Sequence, residues 1–353
     1  AQLKENIPKL ADHEIVVEIT KLIASFKYGH TSVGWSRWMQ GDAPGFHQFP
    51  FHLYQFKDGV YIQGAHQDYG KAVGAKVLQI GQKGVEEAIK MVYPVVSAEN
   101  SQFFKAYGLN FLTVPEILHT QKINDDLNKV SLLLEKDGQT FTMDFKASNP
   151  ERFPDAYGLV KQDGAWLSAR KQDPFPLWLQ QLDKVYFYKH LPEQKAVYVR
   201  HSQIQNDPAE SMADFYTRVF DFIEKNEVEK LVIDVRLNGG GDNTMNKDLI
   251  TKVIANQQIN QKGNFFVIIG RRTFSACQNL VNELDTYSNV TFVGEPTGEN
   301  INFFGDNNAV RLPNSQIPIR LSWAWWQNKP PWDEREWMPP HHSVEMEFND
   351  FVE

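Results

Sequence analysis

The chain has 353 residues, enough for two domains or for one large core carrying an insertion. Its net charge of −8 argues against a nucleic-acid binder, which presents a basic face, and no apolar run approaches the roughly 20 residues needed to span a bilayer. The single cysteine, Cys277, excludes an intramolecular disulfide and leaves the redox compartment open.

Residues 12–26, "DHEIVVEITKLIASF", follow helical spacing. Asp12 is expected to cap this helix, and Ile15, Ile19, Leu22, Ile23 and Phe26 are expected to form its buried face. The glycine-bounded turn "KYGHTSVGW" comes next and carries His30. Between Phe49 and Phe145, short runs such as "DGVYIQGA" and "KVSLLLEKDGQTFTMDF" predict a β-rich module with one or two helices. Residues 150–185, rich in Pro, Trp and Gln, read as a connector.

Beyond the connector the pattern becomes α/β. "KAVYVR", "KLVIDVR", "NFFVIIG" and "NVTFVG" read as strands, with helices over 210–225 and just after Ser275. Strands this apolar on both faces belong in a mostly parallel sheet covered by helices. "AVRLPNSQIPIRLS" reads as a hairpin turning at Pro313-Asn314, and five tryptophans (Trp323, Trp325, Trp326, Trp332, Trp337) follow in one short segment, expected as a lid or wall. No internal repeat is present.

Two segments carry chemistry. In "DVRLNGGGDN", Gly239, Gly240 and Gly241 stand where a parallel strand ends, the usual ligand position in an open α/β sheet. The GxGxxG spacing and a following Lys-Ser/Thr are both missing, which disfavours a phosphate cradle. The loop either frees backbone amides to approach a reacting carbonyl or makes a tight turn needing positive φ. In "GRRTFSAC", Ser275 falls at a strand-to-helix turn, where a hydroxyl meets unpaired first-turn amides or simply caps the helix. Cys277, two residues further, is expected to pack. His341 and His342 would point to opposite faces of a strand, so no metal is expected there.

"KLVIDVRLNGGGDN", "RRTFSACQN" and "VTFVGEPTGEN", in that order, resemble the C-terminal-processing and tricorn-type serine peptidases, also called tail-specific proteases. The early "GHT" is similar to that family's His-Thr motif, and "VYIQGAHQDYGKAVGAKVLQIGQKGVEEA" is similar to PDZ text. The resemblance implies a mixed α/β fold with a ββα superhelical catalytic domain like that of crotonases and Clp-type proteases. It divides the chain into a helical segment with the histidine (1–45), a PDZ-like module (46–150), a connector (151–185) and the catalytic domain (186–353). One branch of the family pairs its serine with a lysine in a "GExTxGK" loop. Here that loop reads "GEPTGEN", with Asn300 at the lysine position, and Lys329 is the only lysine after Ser275. A serine hydroxyl without a base is a poor nucleophile, so another activator is needed.

The tricorn-like branch implies His30 as general base and Glu334, in "DEREWMPPHHSVE", as the group orienting it, with Asp333 the next choice. Ser275 is then the nucleophile, and the amides of Gly240 and Ala276 form the oxyanion hole. The implied function is a cofactor-free serine peptidase acting on peptides or unfolded proteins, exported to a bacterial envelope. An esterase or amidase using the same triad, or a binding protein on the same scaffold, are the competing expectations.

Overall fold

The computed structural model describes residues 2–33, 46–149, 154–170 and 175–353. Gly34 and Trp35 at the end of the histidine turn, the expected boundary at 45/46, and connector residues 150–153 and 171–174 lie outside the described residues.

The N-terminal helix spans Asp12–Ala24, but Asp12 is its first residue and does not cap it. Ala11 holds the cap position, and its N–H donates to Glu14 Oε2 at 3.0 Å. The buried face is also rotated from the expected one: Val16, Val17, Thr20, Ile23 and Ala24 are buried, while Leu22 and Phe26 are 58% and 57% exposed. The helix packs on the Pro115–Thr120 helix. A stripe of small and β-branched side chains permits that close approach, and the larger Leu22 and Phe26 are left outside.

The β-rich module is an antiparallel sheet of seven strands. Its Gly59–His66 strand pairs with Phe51–Phe56, Lys76–Ile80 and Trp166–Ser168, and Lys129–Lys136 and Gln139–Lys146 extend the sheet from Lys76–Ile80. The Trp166–Ser168 strand comes from the expected connector, which is thereby built into the module. Three α-helices cover it, Val85–Val92, Ser101–Tyr107 and Pro115–Thr120.

The C-terminal half follows the apolar runs. Ala196–His201, Lys230–Asp234, Phe265–Ile269, Thr291–Gly294 and His342–Ser343 form a parallel array, with Tyr186–Leu191 antiparallel on its edge. The helices Met212–Lys225, Asn246–Ala255 and Ala276–Tyr287 connect these strands. Val199, Ile233, Val267 and Phe292 from the sheet are fully buried with Leu249 and Leu280 from the helices. Ser211 sets the start of the first of these helices, its hydroxyl accepting from Asp214 N at 3.1 Å.

A third, small sheet bridges the two halves. The hairpin Phe303–Arg311/Pro318–Trp326 turns across 312–317 and takes Ser32–Val33 as a third strand, with Ser32 opposite Arg320 and Val33 opposite Ile319. At the far end of the chain, Phe351 docks against Phe56, Leu159 and Leu179.

Arg200, 1% exposed, binds the end of the connector to the sheet. Its guanidinium donates to the carbonyls of Gln180, Gln181 and Lys184, the last two at 2.7 Å, and lies 4.9 Å from the Phe187 ring centre. Arg200→Met keeps the bulk and strands the Gln180 and Lys184 carbonyls, while Gln181 O keeps the bond from Lys184 N at 3.0 Å. We expect a loss of about 3 kcal/mol in stability, seen as a lowered Tm by circular dichroism, because hydrogen bonds from charged donors are among the stronger ones. An unchanged Tm would mean that these carbonyls do not depend on the arginine.

Candidate active site

The strand Phe265–Ile269 delivers the chain into a turn fixed by side-chain bonds. Gly270 N donates to Thr273 Oγ1 at 3.0 Å, Thr273 Oγ1 donates to Val235 O at 3.0 Å, and Phe274 N donates to Asn238 O at 3.2 Å. The turn ends at Ser275 with φ 55° and ψ −128°. A residue other than glycine held in such a sparsely populated region costs on the order of 1–3 kcal/mol, and such strain concentrates at functional sites. The Ser275 hydroxyl makes no capping bond to the helix that starts at Ala276. It lies 2.9 Å from His30 Nε2 instead.

The glycine loop packs directly beneath this serine. Gly240 has φ +102°, and a Cβ there would stand 2.6 Å from Ser275 Cβ and 2.9 Å from Ala276 N. Gly241 has φ +144°, and its Cβ would fall 2.0 Å from Ile204 O. The Gly240 amide, expected to face an oxyanion, is turned elsewhere: it donates to Asn238 Oδ1 at 3.0 Å in a local side-chain turn. What Gly240 supplies is room. Ala276 N belongs to the first-turn amides, which have no partner within the helix.

His30 is held from three sides. Gly29 N donates to Glu99 Oε1 at 2.8 Å, Thr31 Oγ1 lies 2.7 Å from Ser322 Oγ and accepts from Ser322 N at 3.0 Å, and Ser32 enters the hairpin sheet. The imidazole is 12% exposed and lies between two rings, Phe274 at 4.6 Å and Phe303 at 6.0 Å between centres, both nearly parallel to it. Burial pushes its pKa down to about 4, against a smaller upward pull from Asp306. The ring is therefore neutral at pH 7. For Nε2 to accept the Ser275 proton, the ring hydrogen must sit on Nδ1.

The carboxylate that faces Nδ1 is Glu299, with Oε2 at 3.8 Å. The same oxygen accepts from Ser275 N at 2.8 Å. Glu299 is wholly buried, and burial together with the adjacent Glu99 raises its pKa well above the ordinary value. Glu99 is raised too, by burial, partly offset by its hydrogen bonds with Glu299, Gly29 N and Asn300 N. The 3.8 Å contact thus joins an imidazole and a carboxyl group, both of which burial pushes toward their neutral forms. Nδ1 of His30 is buried without a hydrogen-bond partner.

Glu334, expected beside His30, is exposed, and among the described residues it makes no hydrogen bond or ion pair with His30. Its neighbour Asp333 pairs with Arg335 at 2.7 Å. The sequence gives no local sign that separates Glu299 from Glu334, because the choice depends on how the 294–300 loop closes. Lys329 is committed to Asp285 and Thr286, both at 2.7 Å. Trp323, Trp325 and Trp332 are 64%, 48% and 80% exposed, and the hairpin ring stacked near the imidazole is Phe303. Cys277 is buried, with its thiol pKa raised by burial. His341 accepts from Phe292 N through Nδ1, and His342 is exposed. Among the described residues, two groups are close enough to hold a metal ion, His30 with Glu99 and Glu299, and His13 with Glu14 and His119.

Among the described residues, no helix is long and apolar enough to cross a membrane. No curated protein matches the sequence. Among solved structures, mature CPAF complexed with lactacystin superposes with a TM-score of 0.62 at 12% identity, covering 96% of this chain and 85% of that one. Mature CPAF alone gives 0.63 at 12% identity, covering 99% and 87%. At such identity the likeness is one of fold. The family model described as Peptidase family S41 matches residues 195–317, which include Gly240, Ser275, Ala276 and Glu299 and leave out His30, Glu99 and Glu334. The stretch 195–317 is thus similar to Peptidase family S41.

Proposed function

We propose that this chain hydrolyses peptide bonds through an acyl-enzyme on Ser275. The 2.9 Å contact between Ser275 Oγ and His30 Nε2, made at a strained serine, carries this reading. His30 takes the hydroxyl proton as Oγ attacks the carbonyl, then returns it to the leaving amine. The Ala276 amide donates to the tetrahedral oxygen, a contact typically worth about 3 kcal/mol of barrier. Water then repeats the sequence to release the acid. Glu299 stabilises the imidazolium once His30 is charged, a role the motifs had placed on Glu334. The substrate is a peptide or unfolded protein, and the 46–150 module, read as PDZ-like, offers sheet edges onto which an extended chain could add.

Fluorophosphonate labelling of the purified protein tests the nucleophile. Ser275→Ala should abolish it, and His30→Ala should lower its rate by on the order of 1,000-fold or more. A well-folded wild type that does not label would transfer the scaffold to ligand binding.

Glu299→Gln mimics the protonated resting carboxyl but cannot take up charge, so labelling should slow by on the order of 100-fold. Glu334→Gln should stay within about twofold of wild type, as exposed substitutions usually do. The reverse ranking would return the role to Glu334. Gly240→Ala should also cost at least about 100-fold, with the far-ultraviolet spectrum intact, because the new methyl group displaces Ser275.

The pH profile follows from the buried imidazole. His30 works only when neutral, and its pKa is held at about 4. Labelling should therefore persist as the pH is lowered through about 6.5, where an ordinary imidazole would be half protonated, and fail only near pH 4. Loss of half the rate near pH 6.5 would mean that the ring is solvated in solution.

A further inference from the structure

Glu99 lies outside the stretch that matches the family model, between the Tyr93–Val95 turn and the Ser101–Tyr107 helix, and is 9% exposed. Oε1 accepts from Gly29 N at 2.8 Å, next to His30, and Oε2 accepts from Asn300 N at 3.2 Å, next to Glu299. One carboxylate thus joins the loop that carries the base to the loop that carries its partner. Asn100 extends the tie: its Oδ1 accepts from Phe103 N at 2.9 Å, and its Nδ2 donates to Glu336 O. Glu99, Glu299 and His30 have ligand atoms all within 4.8 Å of one another. Among the described residues no lysine or arginine pairs with either carboxyl group. Two carboxylates buried this close cannot both ionise, so the pair retains one proton.

Resting on the serine-peptidase reading, we propose that Glu99 is a positioning residue that shares this proton with Glu299 and takes it over when His30 becomes cationic. At rest the proton sits on Glu299 and is directed at the Glu99 carboxylate. When His30 Nε2 receives the Ser275 proton, the shared proton moves from Glu299 to Glu99. No atom is lost from the pair. The negative charge moves to Glu299, where it faces the Nδ1–H of the imidazolium. Asp306, which draws the His30 pKa upward, is the other ionised group acting on the ring.

The test is the rate of fluorophosphonate labelling of Ser275 against pH for wild type, Glu99→Ala and Glu99→Gln, each checked for folding by circular dichroism. Glu99→Ala leaves Glu299 protonated with nothing to pass its proton to, and the plateau rate should drop by on the order of 10- to 100-fold. Glu99→Gln gives up the longer Asn300 contact but fixes the negative charge on Glu299. It should recover most of the rate and move the acid limb upward by roughly one pH unit, because an anion then faces His30 in the resting enzyme. A purely structural role for Glu99 would slow both variants and leave the limb in place, which overturns the proposal. Labelling of Glu99→Ala at the wild-type rate overturns it as well. If Glu99→Ala does not fold, the limb of Glu99→Gln decides alone. Wild-type protein that does not label, or that labels equally in Ser275→Ala, rejects the peptidase reading itself and is distinct from every other result.

Discussion

The site depends on keeping two carboxyl groups out of water without a countercharge. His30 and Ser275 are 245 residues apart in sequence, and Glu99 and Asn300 are 201 apart. What brings these stretches to one place is backbone hydrogen bonding: Gly29 N and Asn300 N to Glu99, and Ser275 N to Glu299. Each donor is Ser275 itself or the immediate neighbour of His30 or Glu299. Moving any of the loops would leave a buried carboxyl group underbonded, a cost of several kcal/mol in a medium this dry. The geometry around the serine is therefore fixed by the solvation needs of the acids beside it.

The strain at Ser275 is sustained by the same arrangement. A conformation costing on the order of 1–3 kcal/mol persists only where the surroundings over-determine it. The bond from Ser275 N to Glu299, the bond from Phe274 N to Asn238 O and the anchoring of Ala276 O by Asn246 Nδ2 are together of sufficient size to hold it. Gly240 and Gly241 complete the constraint from below, where any Cβ would collide with Ser275 or Ile204.

Sequence and structure agree where the signal is local. The apolar runs become the parallel strands, the Pro313-Asn314 turn lies within the hairpin loop, and the serine and histidine motifs name two residues that the fold places in hydrogen-bond contact. The differences arise where a distant partner decides. The buried face of the Asp12–Ala24 helix is chosen by the small side chains that fit against the Pro115–Thr120 helix, not by the largest apolar residues. The Gly240 amide is captured by Asn238, a side chain two residues away whose rotamer no spacing rule gives. Glu299 faces His30 because the 294–300 loop closes onto Glu99 from another module, so a motif count within the C-terminal tail leads to Glu334 instead.

The phenylalanines around His30 determine what the acids must do. Holding an imidazole at about 4 instead of 6.5 makes its protonation roughly 3 kcal/mol harder at neutral pH. In the proposed reaction that penalty falls on the step in which His30 takes the serine proton. A full negative charge about 4 Å away is worth on the order of 4 kcal/mol at an effective dielectric constant near 20. The two magnitudes are comparable, so an ionised carboxylate facing Nδ1 would make the buried ring a usable base, whereas a protonated one would not. Phe274 and Phe303 lie against the ring where water would otherwise provide this stabilisation, so the proposed reaction depends on where the carboxyl proton resides.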